Sequence, residues 1–159
     1  MKDWKVIIFF VSLILILMVF AKKIKKALSR GYINKNPGNI RLNGEHWRGE
    51  VEPSRDKEFK EFVTMGYGYR AMFVLLNTYF EKGLNTVEKI ISTYAPASEN
   101  KTEGYIFFVC LKTGFTKNSP LPYNEETIKK LIAAISYFEN GIEPDLKEIN
   151  LGFSLYNSE

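Results

Sequence analysis

The sequence predicts an α+β fold, mostly α, with a small β-hairpin, preceded by one N-terminal transmembrane helix. Three observations predict it. Val6 to Ala21 is apolar except for Ser12. Apolar residues recur at helical spacing in the stretches 67–82, 87–94 and 124–140. Between the apolar start and these stretches, Asn36-Pro37-Gly38-Asn39 carries dense turn chemistry and leads into Ile40-Arg41-Leu42-Asn43, which alternates as a strand does. At 159 residues the chain has room for one globular domain and a short appendage. The expected organisation is a membrane anchor with a basic juxtamembrane helix over 1–30 and a globular domain over 31–159.

The anchor comes first. At about 1.5 Å per residue, Val6–Ala21 covers somewhat less than the ~30 Å hydrocarbon core. Trp4 at the interface and snorkelling lysines at both ends make up the difference. A cleaved signal peptide shares the basic start and apolar core, but no small-x-small site follows Phe20, and Ala21 runs straight into lysines. Lys2 and Lys5 precede the span, whereas Lys22, Lys23, Lys25, Lys26 and Arg30 follow it. The positive-inside rule therefore places the C-terminal domain on the cytoplasmic side of a bacterial inner membrane.

The basic segment continues the helix to Ser29, and Gly31 is a natural stop. The turn and its hairpin come next, then Pro53-Ser54-Arg55-Asp56 as a second turn. Phe59 and Phe62 suit a helical turn and a short strand equally. Tyr67 to Lys82 is an amphipathic helix ended by Gly83, with Tyr69, Met72, Phe73, Leu76, Tyr79 and Phe80 on one face. Val87, Ile90, Ile91 and Tyr94 mark a shorter helix closed by Pro96. Ser98 is a suitable N-cap for a third, with Ile106, Val109 and Cys110 as its buried stripe and Gly114 as its end. Asn124 caps the last long helix. Ile128, Leu131, Ile132, Ile135 and Phe138 face its core side, and Asn140-Gly141 stops it. Asp145 to Leu151 adds one short helix.

Composition excludes several function classes. Net charge is +4, and the cluster from Lys22 to Lys26 supplies most of it, so the rest of the chain is nearly balanced. That argues against specific nucleic-acid binding. The single Cys110 sits in an apolar run and reads as a buried, inert thiol. With one His and one Cys in the chain, no structural zinc site, other metal site or cofactor is expected.

Certain residues point further. Asn36-Pro37-Gly38-Asn39-Ile40-Arg41 is followed by Trp47-Arg48-Gly49-Glu50. Tyr67-Gly68-Tyr69-Arg70-Ala71, Tyr94-Ala95-Pro96 with Glu99-Asn100-Lys101-Thr102, and Glu139-Asn140-Gly141 come after them. In that order these stretches resemble a family of phage virion proteins with a lysozyme-like peptidoglycan-hydrolase character, over about Gly31 to Gly141. The resemblance implies a lysozyme-like domain, peptidoglycan as substrate, and lipid bilayer and capsid proteins as further partners. It also implies a virion location at an internal membrane drawn from the host inner membrane. A non-catalytic protein linking that membrane to the capsid is the alternative, and a binding module that docks on peptidoglycan without cutting is another.

Cleaving a glycosidic bond needs a carboxylic acid of raised pKa, and then a second carboxylate or a substrate acetamido group for the oxocarbenium-like state. Glu45, Glu50 and Glu52 lie near the motif, and Glu99 and Glu139 further along. Glu50 is the first candidate acid, because Trp47 beside it can desolvate the carboxyl. Glu99 is the second, opening a helix next to Asn100 and Thr102, although helix capping is its plainer reading. Glu139 ends a helix, where a surface role is its default. Trp47, Tyr94 and Tyr105 can stack on sugar rings, and Asn36, Asn39, Arg70, Asn100 and Thr102 can bond hydroxyls and acetamides. Arg70, on an otherwise apolar helix, needs a carboxylate partner, for which Glu50 or Glu99 serves. The pattern departs from lysozyme-like glucosaminidases and transglycosylases in one respect. Those place the catalytic Glu on a helix before a loop resembling 36–41, and here no Glu occurs before Glu45. Either Glu50 or another residue has taken the role, or the fold persists without the reaction.

Overall fold

The computed structural model describes residues 3–96 and 102–158. Among these the chain is helical with no extended strand. Its elements are α1 (Asp3–Leu28), α2 (Arg30–Ile33), α3 (Met65–Glu81), α4 (Val87–Tyr94), α5 (Thr102–Thr113), α6 (Glu125–Asn140) and α7 (Leu146–Asn157).

α1 stands apart from the rest. Over Val6–Lys25 its mean hydropathy is 2.5 and none of that window is buried by the protein. Ile, Leu, Val and Phe without Gly or Pro form the helix, and by length and composition it is able to cross a bilayer. At its end the sequence expectation needs correcting, because Gly31 does not stop a helix. It lies buried inside the short helix α2, where a Cβ would stand 2.3 Å from Asn140 Oδ1 and 2.8 Å from the Asn36 carbonyl oxygen. The glycine is there for close approach rather than for termination.

The globular part is organised on α3. Thr64 caps it, accepting from the Tyr67 amide at 3.3 Å. Its apolar face, with Tyr69, Met72, Phe73 and Leu76 all at most 2 % exposed, meets α4, α6 and α7. α7 lies tightly along it, since a Cβ on Gly152 would sit 2.6 Å from Tyr69 Cβ and 2.9 Å from the Arg70 amide nitrogen. Phe73 packs on Phe153 and Tyr156 with centroids 5.3 and 5.9 Å away. Thr86 caps α4 through the Lys89 amide, burying Val87, Ile90 and Ile91. Asn124 caps α6 through the Thr127 amide, and Gly141 at φ 59° closes it in the left-handed region. Each buried aliphatic or aromatic side chain contributes roughly 1.5–3 kcal/mol.

The expected β-hairpin is not formed. Arg41 bridges Phe59 and Glu50 bridges Phe62 as isolated antiparallel contacts. Lys60 still donates its amide to the Ile40 carbonyl at 2.9 Å, and Leu42 its amide to the Glu58 carbonyl at 2.8 Å. The other half of the Ile40–Lys60 pair goes to the side chain of the fully buried Asn36. Nδ2 donates to the carbonyls of Ile40 and Lys60, both at 2.9 Å, and Oδ1 accepts from the Ile40 amide at 2.9 Å. Two smaller expectations change as well. Phe138 is 42 % exposed rather than core, and α7 runs to Asn157, well beyond Leu151. The expected Ser98 cap lies outside the described residues.

Candidate functional site

The left-handed turn starts the site. Asn39 sits at φ 47°, a conformation Asn tolerates better than most residues. This aims its side chain at the C-terminal end of α6, where Nδ2 donates to Glu139 Oε2 at 3.0 Å. From α5, Tyr105 donates its hydroxyl to Glu139 Oε1 at 2.9 Å. Tyr94, at the end of α4, donates to the Gly38 carbonyl and so fixes the turn against the helices. Three segments distant in sequence thereby enclose one carboxyl group.

Burial between these rings pushes the Glu139 carboxyl above its ordinary range, and the two donated hydrogen bonds pull only partly against it. Its place in the last turn of α6 acts in the same direction, because the helix dipole disfavours an anion there. The tyrosines are shifted too. Burial and the neighbouring carboxylate hold Tyr94 and Tyr105 far above the usual phenol range, so both stay protonated donors. Asn39 Oδ1 is buried without a hydrogen-bond partner, one acceptor left over beside the carboxyl. Sequence reading gave Glu139 a surface role. Its position beside Asn140-Gly141 was visible, but the enclosure comes from residues 34 and 100 positions away in sequence.

Glu139 lies in a pocket of about 310 Å³ with Asn39, Arg41, Tyr79 and Tyr94 on its walls. A second hollow of about 560 Å³ is lined by Trp47, Arg48, Arg70 and Lys82. Asn43, Leu75 and Tyr79 line both, so the two hollows adjoin. Of the residues singled out by sequence, Asn39, Tyr94 and Tyr105 converge on Glu139, and Trp47 and Arg70 line the adjoining half. Asn36 and Thr102 are absorbed elsewhere. Asn36 holds the turn together, and Thr102 Oγ1 donates to the Ala95 carbonyl at 2.7 Å in a buried position. Glu99 and Asn100 lie outside the described residues.

Glu50 is placed differently from expectation. Its carboxylate, 5 % exposed, takes the ammonium of Lys60 at 2.7 Å and the Trp47 amide at 3.0 Å. Lys60 is itself 1 % exposed and also donates to the Glu45 carbonyl at 2.7 Å. Arg70 was expected to pair with Glu50 or Glu99; Lys60 holds Glu50 instead, two residues before the isolated Glu50–Phe62 bridge, and Glu99 lies outside the described residues. A carboxylate so placed is one half of a buried ion pair, which gives it a structural role.

The comparisons with known proteins agree on lineage. The chain is 43 % identical over 140 residues to "Protein P5" of Pseudoalteromonas phage PM2, a match covering 85 % of this chain and 86 % of that protein. No protein-family model matches the chain.

Proposed function

The chain belongs to the family of Protein P5 of Pseudoalteromonas phage PM2, and on that premise we propose that it is a membrane-anchored phage virion protein whose groove cleaves peptidoglycan glycan strands during infection. One observation carries the reading: a single carboxyl group, whose pKa burial raises, lies in the pocket walled by Tyr79 and Tyr94, beside the hollow that Trp47 lines. A neutral carboxylic acid can give its proton to the leaving glycosidic oxygen. Glu139 takes this role in place of Glu50. Asn39 and Tyr105 orient it, and the aromatic walls exclude water and face the sugar rings. Among the described residues, the lining around Glu139 holds no second carboxylate. α1 holds the protein in the membrane, and its flanking lysines put the domain on the cytoplasmic side before the membrane is taken into the virion.

The test is turbidity loss of Gram-negative peptidoglycan with the full chain in detergent, beside Glu139→Gln and Glu50→Gln. Wild type clears the suspension, and Glu139→Gln slows it by roughly 10²–10⁴-fold, the usual weight of a general acid. Glu139→Gln keeps its fold, because the Gln Oε1 still accepts from Tyr105 and a flip of the Asn39 amide turns its Oδ1, unpartnered in the wild type, toward the new amide nitrogen. A folded wild type that clears nothing favours the second reading, a scaffold tying the viral membrane to the capsid. The Glu50–Lys60 pair speaks for that reading, since it commits the carboxylate of the Trp47 loop to structure.

A further inference from the structure

α5 is apolar on both of its faces. Ile106 and Val109 are buried, yet Phe107 and Leu111 on the other side are 70 % and 71 % exposed. Gly104 shares that outer face, one and two turns before them, and a Cβ there would meet nothing within 4 Å. Phe138 on α6 extends the patch, because Phe108 packs on its ring with centroids 5.3 Å apart. Large apolar side chains grouped in the open mark an interaction surface. The acids at its edges, Glu103 and Glu143, are paired with Lys117 and Lys112.

The partner within reach is the bilayer. Lys25 closes the apolar window Val6–Lys25 of α1, and its ammonium lies against the C-terminal end of α6, where a Cβ on Gly141 would collide with it. α1 ends at Leu28 and α2 begins at Arg30, so no long linker separates the span from the domain. Ser29 between them is tied to Asn140 at 2.5 Å. The rise from Lys25 to Ser29 is only ~6 Å. That holds the corner of the domain carrying Phe138 close to headgroup depth, and apolar helix faces settle about 5–10 Å into that boundary.

We propose that the face made by Gly104, Phe107, Leu111 and Phe138 seats in the headgroup region of the bilayer that α1 spans, with anionic lipid at the exposed Lys23 and Lys25. This rests on the reading of α1 as a membrane anchor. Its consequence is that the domain is held at two places, by the span and by α5, and so keeps one orientation to the membrane.

The experiment places the full chain in nanodiscs of phosphatidylethanolamine and phosphatidylglycerol, with one nitroxide label at Gly104→Cys in a Cys110→Ala background. The label should lose collisions with a water-soluble nickel chelate and keep those with oxygen. A label at Glu81→Cys, near the opposite end of α6, should stay open to the chelate. Phe107→Gln with Leu111→Gln, which removes nothing from the core, should return the Gly104 label to the chelate. A Gly104 label open to the chelate without that double variant overturns the proposal. So does a label shielded from chelate and oxygen alike, which marks a protein partner or a second copy, and so does shielding that survives the double variant. A label at Leu13→Cys reads the anchor separately. Oxygen-rich Leu13 with water-exposed Gly104 removes the face and leaves the span, whereas chelate at Leu13 removes both.

Discussion

Glu50 and Glu139 are the two acids whose fates differ most between a reading of neighbours and the folded chain. Each was visible as a candidate acid, but their environments reverse the expected ranking. Glu50 faces a buried lysine, so removing its charge strands an ammonium in the interior. Glu50→Gln should therefore lower stability by about 3–5 kcal/mol, read as a shift of the denaturant midpoint. An unchanged midpoint would mean the pair is open to water. Glu139 behaves in the opposite sense. Its folded pKa is raised, so the native state holds a proton the unfolded chain has released, and stability falls as pH rises from about 4.3 through the folded value. The pH-dependent part of that loss should disappear in Glu139→Gln, measured as the slope of melting temperature between pH 4 and pH 7. A slope identical in both proteins would place Glu139 in water. Neither outcome could be read from Trp-x-Gly-Glu or Glu-Asn-Gly, because the deciding partners, Lys60 and Tyr105, carry no local signal.

The helices were legible because each announces itself locally. Thr64, Thr86, Asn124 and Asp145 cap α3, α4, α6 and α7 with their own side chains, and the apolar spacing between caps selects the buried face. The hairpin was not legible as such, since alternation in 40–43 cannot say how far backbone pairing with 58–60 extends or that the Asn36 side chain takes part of it. Close packing between elements also leaves a mark, in the glycines that admit it. Gly152 is the sharpest instance, because α7 presses there on the backbone of α3. Gly152→Ala should destabilise the protein by roughly 1–3 kcal/mol, as overpacking does, with α3 and α7 separating first in hydrogen exchange. Wild-type protection in both helices would show that the contact yields without cost.

At the scale of the molecule, the juxtamembrane segment is part of the globular fold. Arg30 donates from Nε and Nη2 to Asp56, each at 2.7 Å, and lies over the Phe59 ring at 4.3 Å. Ser29 donates to Asn140 Oδ1 at 2.5 Å, next to Glu139. Arg30 and the amides around it hold the Asp56 carboxyl far below its usual range. A depressed pKa of this kind adds stability above about pH 4, lost as pH falls further. A fragment beginning at Ser29 should melt cooperatively with this acid sensitivity, and one beginning at Asn34 should melt at a lower temperature at neutral pH and lose part of the sensitivity. Equal stability of the two fragments would make the segment a passive tether.

Sequence alone determined the apolar first helix, the helical character of the domain beyond it, and a phage virion lineage. Those depend on composition and on neighbours within one or two turns, which the chain carries wherever it folds. Only the tertiary structure decided which carboxyl is enclosed and which is paired. That choice depends on desolvation and on donors arriving from distant segments, and both exist only once α4, α5 and α6 have closed on the Asn39 turn.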